Sequence, residues 1–339
     1  MDQNEMLDEL AQRIQQMQNK AQKIAAEHNR SMPLRRGFHA KGIGVVAKFK
    51  INSNLPPNLQ VGFFQPNTEY EALVRYSNAR GEVLSDLAKD QRGMAIRIKT
   101  IQGEVLLPDD YLDIQDFLMS STPISFARSP VQFIEVGEFL LGSIPSVIMN
   151  LIKKYGFTEA RRILSVFLAP LISFKPLQMN QYWSRTSYKF GDTSIRYLIR
   201  PSAGSKTQTF MQQFTGVLRS VFQEAPGRDN YMQAKLIEAL QEGDLNYDFC
   251  VQLFVDEKRT PIEDAYIEWL ESDSLPIPIA SLTIPKQKPD PQLQKEMEAT
   301  AFNPWHTKDL IPLGLINLAR KKVYDASAKN RGSSLKPFR

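Results

Sequence analysis

The sequence is poor in the residues from which metal and redox sites are usually built. A single cysteine, Cys250, rules out an intramolecular disulfide framework and any zinc or iron–sulfur site needing several thiolates, and it suits a reducing compartment. Standing between Phe249 and Val251 in a strand-like run, it reads as a packing residue. The only histidines, His28, His39 and His306, are too far apart in sequence to suggest a multi-histidine metal site. A net charge of +5 is mild, and no aromatic–basic motif accompanies it, so nucleic acid is not an expected partner. Long apolar runs are missing too. Phe139 to Ile152 and Ile163 to Phe174 fall short of the roughly 20 residues needed to cross a bilayer, though either could lie on one. Asp2, Glu5 and Asp8, with no apolar core behind them, do not read as a secretory signal, and a cytoplasmic location is expected.

What is present suffices for a folded core. Of 339 residues, 42% are hydrophobic and 23% charged, which excludes wholesale disorder. Residues 1–32 form an arm in which Met6, Leu10, Ile14, Met17, Ala21 and Ile24 recur at steps of three and four, the spacing of an amphipathic helix. Such an arm packs on the body or on a second copy of the chain, which would make a homo-oligomer.

Residues 33–285 form the core. Period-two runs at Gly44 to Ile51, Glu71 to Ser77 and Met94 to Lys99 predict strands, as do Ser187 to Phe190, Ser194 to Pro201, Phe249 to Val255 and Ile279 to Ile284. A helical block, residues 131–175, is inserted between the two strand sets, with a break at Pro145 and a close at Pro170. Another helix is expected near 228–242. The block is very apolar and flanked by Lys153, Lys154, Arg161 and Arg162. It is either a hydrophobic subdomain on the sheet or a lid that contacts a membrane surface peripherally. Residues 286–339 wrap the core and end in a helix from about Leu315 to Lys329. The fold class is α+β, an antiparallel sheet able to close into a barrel, wrapped by helices.

His39 stands in Arg36-Gly37-Phe38-His39-Ala40-Lys41-Gly42, where glycines on both sides permit close backbone approach. Taken alone it is either a structural histidine or a catalytic one. Three more segments follow: Val74-Arg75-Tyr76-Ser77, Asp86 to Ile96 with Asp90-Gln91-Arg92-Gly93-Met94-Ala95, and Ser121-Thr122-Pro123-Ile124-Ser125-Phe126-Ala127-Arg128-Ser129-Pro130. In order and spacing the four resemble the heme-dependent catalase superfamily, with its Arg-x-x-His-Ala-Lys-Gly, Val-Arg-Phe-Ser, Asp-Pro-Arg-Gly-Phe-Ala and Asn-Asn-Thr-Pro segments. The resemblance is clear over residues 34–130, weaker over 180–325 and absent from the arm.

The resemblance implies a catalase-like barrel with heme b as cofactor. It makes His39 the distal histidine that shuttles a proton between peroxide oxygens, and Ser77 the hydroxyl that orients it. Arg36 and Arg75 become propionate anchors, Phe126 a ring packed near the porphyrin, and Asp86 a wall of the peroxide channel. Asp90 and Arg92 are read as scaffold. Below the iron, Arg320-Lys321-Lys322-Val323-Tyr324 has the family's Arg-x-x-x-Tyr spacing, so Tyr324 is the expected metal ligand and Arg320 the cation that favours its ionised form. Two departures bear on activity. Ser120 or Ser121 stands where the family has its distal asparagine, and a serine reaches less far. Phe38 stands where catalases carry valine. The activity expected on this basis is cleavage or rearrangement of an organic or fatty-acid hydroperoxide. The alternatives are a catalase or peroxidase using hydrogen peroxide, and a non-catalytic barrel that binds heme or lipid.

Overall fold

The computed structural model describes residues 2–27, 39, 41–79, 86, 90–99, 114–172, 175–203 and 230–333. Its centre is an antiparallel barrel. Strands β1 (Gly42–Ile51), β2 (Glu69–Asn78), β3 (Arg92–Lys99) and β4 (Ile114–Ser120) form a meander. β4 continues through β5 (Tyr182–Trp183) to β7 (Thr193–Pro201), with the short β6 (Tyr188–Phe190) between them in sequence. From β1 the sheet passes through β9 (Ile277–Ile284) to β8 (Leu245–Leu253), and β8 pairs with β7 to close the ring. β6 and a final two-residue strand, β10 (Ile311–Pro312), extend from β7 outside the closure. The expected α+β barrel is therefore observed.

Alternation fixes which side chains fill the barrel. On β1, Ile43, Val45, Ala47, Phe49 and Ile51 point inward, while Val46, Lys48 and Lys50 face solvent. Inside, Phe117 packs against Phe249 with ring centroids 4.7 Å apart, and Phe49 and Phe64 join the same cluster. Cys250 is buried in β8, and burial pushes its thiol up to about 12, so its role is packing.

β4 is absent from the sequence expectations because its polar residues Gln115 and Asp116 break the usual strand pattern. The fold compensates them. Arg97 on β3 makes a bidentate pair with Asp116 at 2.7 and 2.6 Å, and His306 donates from Nδ1 to the same carboxylate at 2.7 Å. Burial alone would raise the Asp116 carboxyl, but the Arg97 guanidinium and His306 hold it below its ordinary value. His306 is thus part of a buried ionic clasp between the wrapping tail and the sheet.

The helices cover the outer face. α1 (Gln3–Glu27) packs on the body: Leu7, Leu10, Ile14 and Met17 meet Ile134 and Ala319, and Arg13 holds Glu138 at 2.9 and 2.8 Å. Ala21 and Ile24 have side chains outside the described residues. The helical block is α2 (Pro130–Phe139) followed by α3 (Ile144–Ile172). Pro145 lies in the first turn of α3, where a proline's missing donor costs nothing. The bend inside α3 comes instead at Gly156, whose φ of 79° is not helical. α4 (Tyr231–Glu242) and α5 (Pro291–Ala299) pack on the barrel, and α6 (Gly314–Asn330) lies against α1.

Candidate active site

A cavity of about 230 Å³ lies on the outer face of β2, β3 and β4, roofed by α1, α2 and α6. Strand parity creates it. In β2, Ala72, Val74 and Tyr76 point into the barrel, so Arg75 and Ser77 must point out of it. The register aligns Gly42, Ser77, Gly93, Ser120 and Trp183 in one row across five strands, and four of the five line the cavity. Small residues stand at two outward positions of β3: Gly93 makes room for the His39 ring, and Ala95 lines the cavity.

His39 lies over that row, against Ser77 and Gly93. Its backbone adopts φ 59°, the left-handed region, which few side chains other than asparagine, aspartate and histidine enter readily. Nδ1 lies 2.7 Å from the Asn78 carbonyl and 3.0 Å from the Ser77 hydroxyl. A carbonyl can only accept, so Nδ1 carries the proton and Nε2 is the basic nitrogen of the neutral ring. Ser77 therefore touches the histidine as the resemblance implies.

Arg75 also reaches the cavity. Its guanidinium donates to the His39 carbonyl at 3.1 Å and pairs with Glu298 at 3.4 Å. A Cβ on Gly42 would come within 2.5 Å of that guanidinium, which explains the glycine after the histidine segment.

On α6, Ile316, Arg320, Tyr324, Ser327 and Arg331 recur at steps of three and four, so one face of the helix and its cap lines the cavity. Arg320 lies over the Tyr324 ring, 5.4 Å from its centroid, and donates to Thr186 Oγ1 and Asn317 Oδ1, each at 3.1 Å. Burial opposes its charge, yet the phenols of Tyr324, Tyr188 and Tyr197 hold its pKa above the ordinary value. Tyr324 shares the cavity with His39 and does not lie in bulk solvent. Phe126 lines the same space and stacks on Phe133 of α2, centroids 4.8 Å apart.

Other expectations meet a different outcome. Arg36 and Phe38 lie outside the described residues. Ser121 is not among the described residues lining the cavity; its backbone and hydroxyl both bond Arg92, at 2.8 and 2.9 Å, and splice β3 to the loop after β4. Ser120 does line the cavity, but its hydroxyl accepts from Arg185 and donates to the Arg92 carbonyl at 3.4 Å. Asp86 does not line the cavity either. It pairs with Lys41 at 2.7 Å and accepts from Met232 N and Gln233 N, capping α4. Asp90 accepts from Ala79 N, and Arg92 donates to the Asp86 carbonyl, both as scaffold.

Residues that the sequence reading did not assign also line the site. Leu10 and Ile14 bring the arm, which packs on the body, into it. Arg331 continues the Arg320 and Tyr324 spacing by seven residues, a periodic signal that was there to be used. Its Nε is buried without a hydrogen-bond partner, and burial lowers its pKa to about 10. Arg185 and Gln91 lie in a turn and at a strand entry, where no periodicity marks them. Among the described residues no group of three or more His, Cys, Asp or Glu side chains could hold a metal ion.

The family model described as Catalase matches residues 8–138, reaching back into α1, so the arm is included in the likeness after all. None of the curated proteins matches the chain. Among solved structures, a fungal catalase superposes with a TM-score of 0.70 at 17% identity, over 90% of this chain and 61% of that one. Catalase A from Saccharomyces cerevisiae gives 0.69 at 18%, over 91% and 63%, and a bacterial catalase 0.63 at 17%, over 91% and 59%. The chain thus spans about three fifths of the length of those catalases. The chain has the barrel fold of those catalases, and over residues 8–138, which hold His39 and Ser77, it is similar to the Catalase family model.

Proposed function

We propose that this chain is a heme-dependent enzyme that breaks the O–O bond of a peroxide, with His39 as proton carrier and Tyr324 as iron ligand. One observation carries the reading: a single cavity gathers His39, Ser77, Arg75, Phe126, Arg320 and Tyr324 from the two ends of the sequence.

The residues present suit heme. Ala95, Leu118, Phe126 and Val323 supply apolar contact for a macrocycle. The orphaned Nε of Arg331 wants an acceptor, and a propionate carboxylate would satisfy it, with Arg75 nearby. When bound, heme supplies a redox-active, Lewis-acidic iron with an open position for peroxide.

The chain's own contribution is to hold and move protons and to fix charge. His39 Nε2 can take the proton from one peroxide oxygen and return it to the other, while the Asn78 carbonyl and Ser77 keep the ring from turning. Arg320 stays protonated beside the Tyr324 ring. Because the hydroxyls of Ser120 and Ser121 are engaged elsewhere, neither is assigned to the peroxide.

The catalase fold and family match support hydrogen peroxide as the substrate, in preference to the organic hydroperoxide expected from the sequence. The organic reading keeps one supporting observation, the apolar wall of Leu118, Phe126, Phe133 and Ile134. The test is a visible spectrum of the hemin-loaded protein, then turnover of hydrogen peroxide against a fatty-acid hydroperoxide. The expected result is a Soret band with charge-transfer features of tyrosinate ligation, and oxygen evolution from hydrogen peroxide. A protein that refuses hemin defeats the proposal, and consumption of the fatty-acid hydroperoxide alone selects the second reading.

A further inference from the structure

Before its bend, α3 is apolar on two faces. Val147 and Leu151 are buried, and they pack in the cluster that holds Phe126 of the cavity wall. Ile144, Ile148 and Ile152, at steps of four, form a second stripe that faces solvent, with Met149 exposed beside it. At Gly156 the backbone leaves the helix with φ 79°, and a Cβ there would meet nothing within 4 Å. Phe157 follows, exposed as well. Exposed apolar side chains gathered on one face mark an interaction site, whereas scattered ones need no explanation.

Charge narrows the choice of partner. Between Glu138 and Glu159 the chain has no aspartate or glutamate, but it has Lys153 and Lys154. Met149 and Lys153 are four residues apart, as are Phe157 and Arg161, so on each side of the bend a cation stands one turn beyond an exposed apolar side chain. The carboxylates of α2 and α3 are already matched: Glu135 with Lys154, Glu138 with Arg13 and Glu159 with Arg162. Lys153 and Arg161 are exposed and, among the described residues, pair with no carboxylate.

We infer that the outer face of α3 docks on an anionic lipid surface, with Ile144, Ile148, Met149, Ile152 and Phe157 among the acyl chains and Lys153 and Arg161 at the head groups. The apolar side chains leave water, and the long stems of the two cations keep their charges at the level of the phosphates. A second copy of the chain fits this face less well, because a twofold contact would bring Lys153 and Arg161 against cations of the same kind. The inference concerns α3 alone and does not rest on the heme reading.

The test is sedimentation of the purified full-length chain with phosphatidylcholine vesicles, with and without phosphatidylserine. Phosphatidylserine is expected to tighten binding by about tenfold or more. Lys153→Gln with Arg161→Gln should remove most of that gain. Lys50→Gln with Lys189→Gln, which takes the same charge from two exposed strand positions, should leave it unchanged. Equal binding to the two kinds of vesicle, or none, overturns the inference. So does an equal loss in the two double variants, which would make the attraction a matter of net charge. Phe157→Trp supplies a second reading: bromine-labelled lipid should quench the added fluorescence, and a vesicle-bound chain without that quenching overturns the placement of α3. Sedimentation velocity without lipid tests the second copy. A dimer that Met149→Asp converts to monomer gives the face to another chain and overturns the inference; an assembly state that Met149→Asp leaves unchanged supports it.

Discussion

Gly93 lies directly against the imidazole of His39: a Cβ at that position would come 2.7 Å from Nδ1 and 2.8 Å from Cε1. It would also come 2.6 Å from the Ser77 hydroxyl. Those distances are too short for any real contact, so the ring would have to move. Gly93→Ala is expected to leave hemin binding intact and to lower peroxide turnover by about a hundredfold, the scale of a misplacement of about 1 Å. Hemin titration and initial rates on the same preparation check it, and an unchanged rate would show that the ring position does not matter.

His39→Ala removes the proton carrier but none of the cavity's cations. Turnover should fall by about 10²–10⁴-fold while the Soret band persists. Ser77→Ala, which leaves the Asn78 carbonyl as the partner of Nδ1, should cost less than His39→Ala. Equal losses for the two variants would argue that Ser77 does more than orient.

Tyr324→Phe deletes the only oxygen of that side chain while keeping its ring under Arg320. The charge-transfer features of the hemin-loaded protein should vanish and hemin should dissociate faster. A visible spectrum indistinguishable from wild type would remove Tyr324 from the iron.

Acid should loosen the clasp between the tail and the sheet in two steps. Burial lowers the His306 pKa below 6.5, so the fold favours the neutral ring; this stability is present above 6.5 and is lost as pH falls through the folded value. Arg97 and His306 outweigh burial to lower Asp116 below 3.8, so its contribution holds above 3.8 and is lost at still lower pH. Asp116→Asn leaves Arg97 buried without its anion and should cost about 3–5 kcal/mol. Urea unfolding from pH 7 to 4 should show the first decline in wild type, and a flat profile would contradict it.

The outer face of α3 exposes Ile144, Met149 and Phe157, 77%, 65% and 71% accessible, beside the exposed Lys153 and Lys154. No described helix is long and apolar enough to cross a membrane; the peripheral contact that was one of the two sequence expectations for this block would use these exposed side chains. Replacing Ile144 and Phe157 with serine should weaken binding to phosphatidylserine vesicles by about tenfold or more. Sedimentation with vesicles measures it, and equal binding of the two proteins would remove α3 as the contact.

Much of the molecule was legible before any coordinate. Period-two runs located β1, β2, β3, β7, β8 and β9 because each has one face in the barrel and one outside it. The resemblance carried by four motif segments named His39, Ser77, Arg75 and Phe126, and the family's Arg-x-x-x-Tyr pattern named Arg320 and Tyr324. β4 was not legible, because the residue that compensates Asp116 comes from β3 and the tail, far away in sequence.

Local spacing by itself therefore determined the class of fold, and the motif resemblance pointed to most of the described residues that share the cavity, since periodicity and short motifs are carried by neighbours along the chain. Only the tertiary structure decided that Asp86 and Ser121 belong to the scaffold, that the arm contributes Leu10 and Ile14 to the cavity, and that Arg185 lines it. Those outcomes depend on which hydrogen bonds a side chain finds across the fold, and pairing of that kind is set by closure of the barrel, not by sequence spacing.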